Sequence, residues 1–129
     1  MKFTSSSGKL LKQLEMVNGI INTKTKVPLL DYILFEVEDG ILTVTTSDLE
    51  MSLTSSMRVE AIENGRIAVH SQLIIGILKE LSEQKVLFDI YLENKTVNII
   101  GDKDKYKLQG ESIEDFLSVA FAQTGKLVS

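Results

Sequence analysis

Cysteine is absent from all 129 residues, and histidine occurs once, at position 70. Without thiols the chain has no disulfide framework and no thiolate zinc site, which suits a cytoplasmic protein. The lone His70 has no acid or thiol paired with it in the sequence and is assigned no chemistry. The opening MKFTSSSGKLL has no apolar signal core, and no apolar run approaches the ~20 residues that cross a bilayer, so no membrane partner is expected. A glycine-rich phosphate loop, a metal constellation and a nucleophile elbow are also missing, and no cofactor is expected. Basic excess is missing too. The formal net charge of −4 counts against nucleic acid until one asks where the charges sit. What remains is globular material, 43% hydrophobic and 25% charged, in the length of one domain.

The pattern that is present comes twice. Ser7 precedes GKLLKQLEMVNGI and Ser71 precedes QLIIGILKELSE; each serine suits an N-cap, accepting from amides that a first helical turn leaves free. Behind them Leu10, Leu11, Leu14 and Val17 match Ile74, Ile75, Leu78 and Leu81 at one constant offset, a single apolar stripe at helical spacing. Ahead of them Phe3 and Ser5 answer Ile67 and Val69 as short strands. A hairpin follows each helix. YILFEVEDGILTVTT turns at Asp39-Gly40, which sets Val37 opposite Leu42 and Phe35 opposite Val44. VLFDIYLENKTVNIIG turns around Asn94-Lys95, which sets Leu92 opposite Val97 and Ile90 opposite Ile99. A further strand closes each half: residues 49–60 in the first, and DKYKLQ, residues 104–109, in the second. The expected fold is α+β, a duplicated β-α-β-β-β unit with two helices packed on one face of antiparallel sheet.

The segment TTSDLEMSLTSSMRVEA, residues 45–61, offers a competing reading. Asp48 and Glu50 stand one residue apart, as a metal-binding or acid-base pair would. Strict alternation instead puts Leu49, Met51 and Leu53 inward, with Met57, Val59 and Ala61 in the same phase, and Glu50, Ser52, Thr54 and Arg58 outward. Asp48 falls at the bend after the preceding strand, where short acids satisfy backbone donors. With no further ligand nearby, the pair reads as structural. A small hydrolase using Asp48 and Glu50, with His70 as base, is the weaker alternative.

The segments MKFT, LLKQLEMVNG, VPLLDYILFEVEDGILTVTTSDLEM, GRIAV and EDF, in that order and spacing, resemble the first domain of the bacterial sliding clamp, the β subunit of DNA polymerase III. The likeness runs from Met1 to about Phe116. It implies three duplicated domains per subunit and two subunits joined head to tail around duplex DNA, helices lining the hole and sheets forming the outer wall. It implies no intrinsic enzymatic activity: the clamp tethers the replicative polymerase by topology, and serves polymerase and clamp loader through later domains. Residues 1–116 are expected to be the clamp N-terminal domain, and residues 117–129 a linker leading into a next, missing domain. Leu117 stands where the family often has proline.

The resemblance also assigns residues. Lys24 falls where the family has a basic DNA-contacting residue ahead of Pro28, and Lys9, Lys12 and Lys26 join it as candidates for backbone contacts to double-stranded DNA. Mobile ammonium groups attract phosphates without reading bases, as sliding requires. Lys79 is offset by Glu80 and Glu83, and Gln72 stands where some clamps have arginine, so the second helix contributes weakly to DNA. Its apolar arc is wide: Leu73, Ile77 and Leu81 form a row beside Ile74 and Leu78. DKYKLQ is expected to be an edge strand, Tyr106 and Leu108 on one face and Lys103, Lys105 and Lys107 on the other. In the family this helix and edge meet the partner subunit. Leu73, Ile77, Tyr106 and Leu108 would then be apolar contacts, with Lys103 and Lys105 pairing acids across the seam. The plain alternatives are solvated lysines, a wider core and a guarded edge. They lead to the rival function, a stand-alone α+β protein-interaction module using the exposed Leu/Ile row of the second helix.

Overall fold

A computed structural model describes residues 1–18, 32–47 and 52–112. Period-two apolar segments form strands β1 (Lys2–Ser6), β2 (Tyr32–Glu38), β3 (Ile41–Ser47), β4 (Ser52–Arg58), β5 (Glu60–Glu63), β6 (Gly65–His70), β7 (Lys85–Tyr91), β8 (Thr96–Ile100) and β9 (Lys105–Gln109). The two segments with helical apolar spacing form α1 (Ser7–Asn18) and α2 (Ser71–Glu80). All paired strands run antiparallel, in two sheets ordered β5-β1-β7-β8-β9 and β4-β3-β2-β6. The α+β fold of two helices packed on antiparallel sheet is as expected, with the strands divided between two sheets. The helices pack against one another, and one continuous core joins both sheets to Leu10, Leu14 and Val17 of α1 and Ile74, Ile75 and Leu78 of α2.

The duplication is visible in the pairing register. Phe3 lies opposite Phe88 and Ser5 opposite Val86; in the other sheet Ile67 lies opposite Phe35 and Val69 opposite Ile33. These are the same pairs, one half shifted onto the other. Each opening strand leaves its own half and completes the sheet of the other half. The exits cross too: Thr4 pairs with Glu60, and at the equivalent place Ala68 bridges to Glu111. Neither half can close its apolar face alone, so the halves fold as one unit.

Three expectations are corrected. The segment expected as one strand over residues 49–60 divides: β4 lines β3 in one sheet, and β5 lines β1 in the other. The crossing at Val59 keeps Met57, Val59 and Ala61 against the core, whereas Leu53, near the free end of β4, is 38% exposed. The second hairpin is offset by two residues, pairing Ile90 with Val97 and Phe88 with Ile99. Asn94 Oδ1 accepts from the Thr96 amide at 3.1 Å and Lys95 takes φ 60, so four residues rather than two make the turn. A shift of two preserves the faces, so the core pattern survived the wrong register. The first hairpin is as expected, with Asp39 and Gly40 at φ 53 and 78.

Helix starts are the third correction. Ser7 and Ser71 are first helical residues, not caps. The α1 cap is Ser6, whose Oγ accepts from the Lys9 amide at 3.3 Å. Ser7 Oγ turns across to the other half, donating to the Ser82 carbonyl and accepting from the Gln84 amide, both at 3.1 Å. His70 holds the cap position of α2 and makes no capping bond.

Candidate nucleic-acid and subunit interfaces

Burial of Leu10, Leu14 and Val17 turns Lys9, Lys12 and Met16 to the opposite side of α1, where all three are exposed. Neither lysine has an ion-pair partner among the described residues. Gln13, beside them, is hydrogen-bonded to Ser55 of β4, and Thr46 Oγ1 donates to the Val17 carbonyl at 2.7 Å. These bonds fix the helix on its sheet, and hence the direction in which its lysines point. Lys24 and Lys26 lie outside the described residues, as do Asp48 and Glu50.

The α1 entrance carries the strongest local electrostatics. The Glu83 carboxylate accepts from Ser6 Oγ at 2.7 Å, from the Gly8 amide at 3.3 Å and from Ser7 Oγ at 3.4 Å. The Ser6 hydroxyl, then the Gly8 amide, hold Glu83 below the usual glutamate range. A Cβ on Gly8 would collide with this carboxylate, so glycine is what admits it. Glu83 is thus committed to α1 and does not offset Lys79. Lys79 Nζ instead meets Glu15 of α1 at 3.7 Å.

On α2 the expected apolar row is narrower than its spacing suggested. Leu81 is in the core at 8% exposure and Ile77 packs against it, leaving Leu73 open at 53%. Gly76 is exposed beside them, and a Cβ there would meet nothing within 4 Å. Strand β9 is the edge of its sheet, as expected. Tyr106 and Leu108 turn inward, half-buried against the core, while Lys103, Lys105 and Lys107 are exposed. Leu73 is therefore open while Ile77, Tyr106 and Leu108 are half-buried, and the four do not form one open patch.

Two features escaped sequence reasoning. Lys9, Arg58 and Lys85 line a cavity of about 280 Å³ with Thr4, Ser6 and Glu60 where the chain crosses between sheets. Within it Lys85 Nζ meets Glu60 at 2.8 Å and holds that carboxyl below the usual range. Only knowledge of the crossing could have joined these residues. The role of Glu83 was equally hidden, because its partners are more than seventy residues away. His70 sits edge-on to Tyr32, ring centroids 5.3 Å apart, with its Nδ1 buried and without a hydrogen bond. Among the described residues no three histidine or acidic side chains gather as a metal site would need, and no helix is long and apolar enough to cross a membrane.

Residues 1–120 match the family model for the DNA polymerase III beta subunit, N-terminal domain. A beta sliding clamp of Vibrio harveyi is 30% identical over 120 residues, covering 92% of this chain and 82% of that sequence. The Pseudomonas aeruginosa beta sliding clamp is 32% identical over 92% of this chain, but the chain spans only 32% of its length. The crystal structure of the DNA polymerase III beta subunit from Pseudomonas aeruginosa superposes with a TM-score of 0.81 at 27% identity, over 89% of this chain and 31% of that one. The crossed sheets, the paired helices and these likenesses lead to one conclusion: the chain belongs to the family of DNA polymerase III beta subunit N-terminal domains.

Proposed function

We propose that this chain is the first domain of a ring-shaped sliding clamp that encircles duplex DNA, without catalysis of its own, and confers processivity on the replicative DNA polymerase in the cytoplasm. The observation that carries the reading is the pair of equivalent helices lying side by side on one body, with two sheets as its wall. In that arrangement α1 offers Lys9 and Lys12 to the hole, joined by Lys24 and Lys26 from the following segment. Such cations attract the phosphate backbone and leave it free to slide, since they form no base contacts.

The internal symmetry also supplies two lateral ends, as a ring segment needs. One is the β9 edge of the first sheet; the other is the β4 edge of the second, with α1 packed against it. We assign the first to the seam with a second subunit, where Leu73, Ile77, Tyr106 and Leu108 give apolar contact and Lys103 and Lys105 meet acids. Polymerase and clamp loader engage other domains of the full subunit.

A topological assay tests the reading. The polypeptide as its gene encodes it, loaded on nicked circular duplex by its clamp loader, should survive gel filtration in high salt with the DNA. Cutting the circle should release it. Linkage by encirclement does not weaken with salt, whereas electrostatic binding does. Salt-resistant retention on linear DNA, or none on the circle, would overturn the proposal.

A further inference from the structure

The cavity at the chain crossing gathers positive charge from three separate elements: Lys9 of α1, Arg58 of β4 and Lys85 of β7. In a chain of net charge −4 this gathering is out of character, and like charges drawn together repel. The acids at hand do not account for it. Glu60, the acid of the lining, is occupied: Lys85 Nζ holds it at 2.8 Å and Thr4 Oγ1 donates to it at 3.2 Å. Glu83, which reaches the lining residue Ser6, is taken up by Ser6, Ser7 and the Gly8 amide. Lys9 and Arg58 make no ion pair among the described residues. Lys9 stands, moreover, in the first turn of α1, where free amides already make the potential positive. Two unpaired cations therefore border one concavity of about 280 Å³.

We infer that this cavity is a binding site for a terminal phosphate group, the phosphate monoester of a free nucleotide or of a phosphorylated DNA end. Arg58 offers a fork of parallel N–H donors to two phosphate oxygens, and the Lys9 ammonium adds a third donor and a second charge. The charge count selects the monoester. Near neutral pH a terminal phosphate carries about 1.5–2 negative charges, which two unpaired cations match, whereas a backbone diester carries a single charge. A forked grip also holds an anion in one orientation, which is the opposite of what sliding along a backbone requires. The inference does not rest on the clamp reading, with which it shares only Lys9.

The test uses the gene-encoded polypeptide, titrated by calorimetry at one fixed ionic strength. The probes are inorganic phosphate, adenosine monophosphate, adenosine, and one single-stranded oligonucleotide with and without a 5′-phosphate. Phosphate and adenosine monophosphate should bind and adenosine should not. A 5′-phosphate that tightens oligonucleotide binding several-fold identifies a DNA end as the source; a 5′-phosphate without effect, beside bound monophosphate, identifies the free nucleotide. Arg58→Gln should weaken monophosphate binding about tenfold or more, the scale of charge-assisted hydrogen bonds lost together. Glu60→Gln should tighten it several-fold, because a like charge leaves the cavity and Lys85 is released. Lys107→Gln removes the same charge elsewhere and should bind as wild type does. Should Arg58→Gln lose its fold by circular dichroism, Lys9→Gln decides in its place. Absence of phosphate and monophosphate binding, or equal losses in Arg58→Gln and Lys107→Gln, would overturn the site. Salt-resistant retention of Arg58→Gln on circular DNA should be unchanged, so the clamp reading stands or falls separately.

Discussion

The two helices occupy equivalent places in the two halves, yet they turn different faces outward. Leu10, Leu14 and Val17 of α1 and Ile74, Leu78 and Leu81 around α2 are all buried, so the inward positions have kept their character. At the outward positions Lys9, Lys12, Gln13 and Met16 stand against Leu73, Gly76, Ile77 and Glu80. The core tolerates only volume-conserving change, whereas the surface is free to specialise. One helix presents a cationic face, which we propose meets a phosphate backbone, and the other a more apolar face, which we propose meets a protein. Function in a duplicated fold is therefore to be sought where equivalent positions disagree.

The largest expected effect tests whether the halves are equivalent inside. Phe88 and Phe35 hold corresponding places, opposite Phe3 and Ile67. Each phenylalanine to alanine should destabilise by about 3–5 kcal/mol in urea titrations. Phe88 should lose more, by about 0.5–1.5 kcal/mol, because it stacks on Phe3 at 4.8 Å with rings 4° from parallel. A loss below about 1 kcal/mol for Phe35→Ala would break the comparison, since one half would then not depend on the strand crossing into it.

Next comes the outward difference. Replacing Lys9 and Lys12 together by alanine should reduce the slope of log affinity for duplex DNA against log salt by about 2, and lower affinity at low salt. Substituting Gln72 and Lys79 on α2 in the same way should change the slope less, since Lys79 is already paired with Glu15. Equal effects from both helices would remove the asymmetry.

Much of the fold could be read from residues alone. The apolar stripes, the Asp39-Gly40 turn and the constant offset between the halves are local signals, and each has a strong physical cause. The crossing of opening and closing strands was not legible, because the offset shows that units repeat and not which unit's sheet a strand completes. Of the candidate site, the exposure of Lys9, Lys12 and Leu73 followed from helical spacing. Spacing alone puts Leu81 both in the stripe that answers Val17 and in the wider row with Leu73 and Ile77; its burial selects the stripe.

The helix entrances differ by about 1 kcal/mol. Ser6→Ala should cost roughly that amount through the lost α1 cap, and His70→Ser should gain up to a similar amount by giving α2 the cap it lacks. Glu83 adds a pH signature. Its folded-state pKa is depressed, so its stabilisation is full above the ordinary glutamate range and disappears as the pH falls below that range. Glu83→Gln should therefore be less stable than wild type at neutral pH and equal to it in acid. A gap that persists undiminished in acid would mean that Glu83 acts by packing rather than by charge.

The smallest effect concerns the line where the halves meet. Glu15 and Lys79 are equivalent residues of the two helices, and they pair with each other at 3.7 Å. Near a local two-fold axis a residue faces its own counterpart, so an undiverged duplication would set like charges together. Opposite charges at this one position resolve the conflict. Both side chains are about half exposed, so the pair contributes only a few tenths of a kcal/mol, and less in salt. Glu15→Lys should recreate the like-charge contact and destabilise by a similar small amount in low salt, an effect that 1 M salt should erase. The double exchange, Glu15→Lys with Lys79→Glu, should restore wild-type stability. Failure of the exchange to rescue would show that the two positions are not equivalent, and the local symmetry would not extend to the helix surfaces.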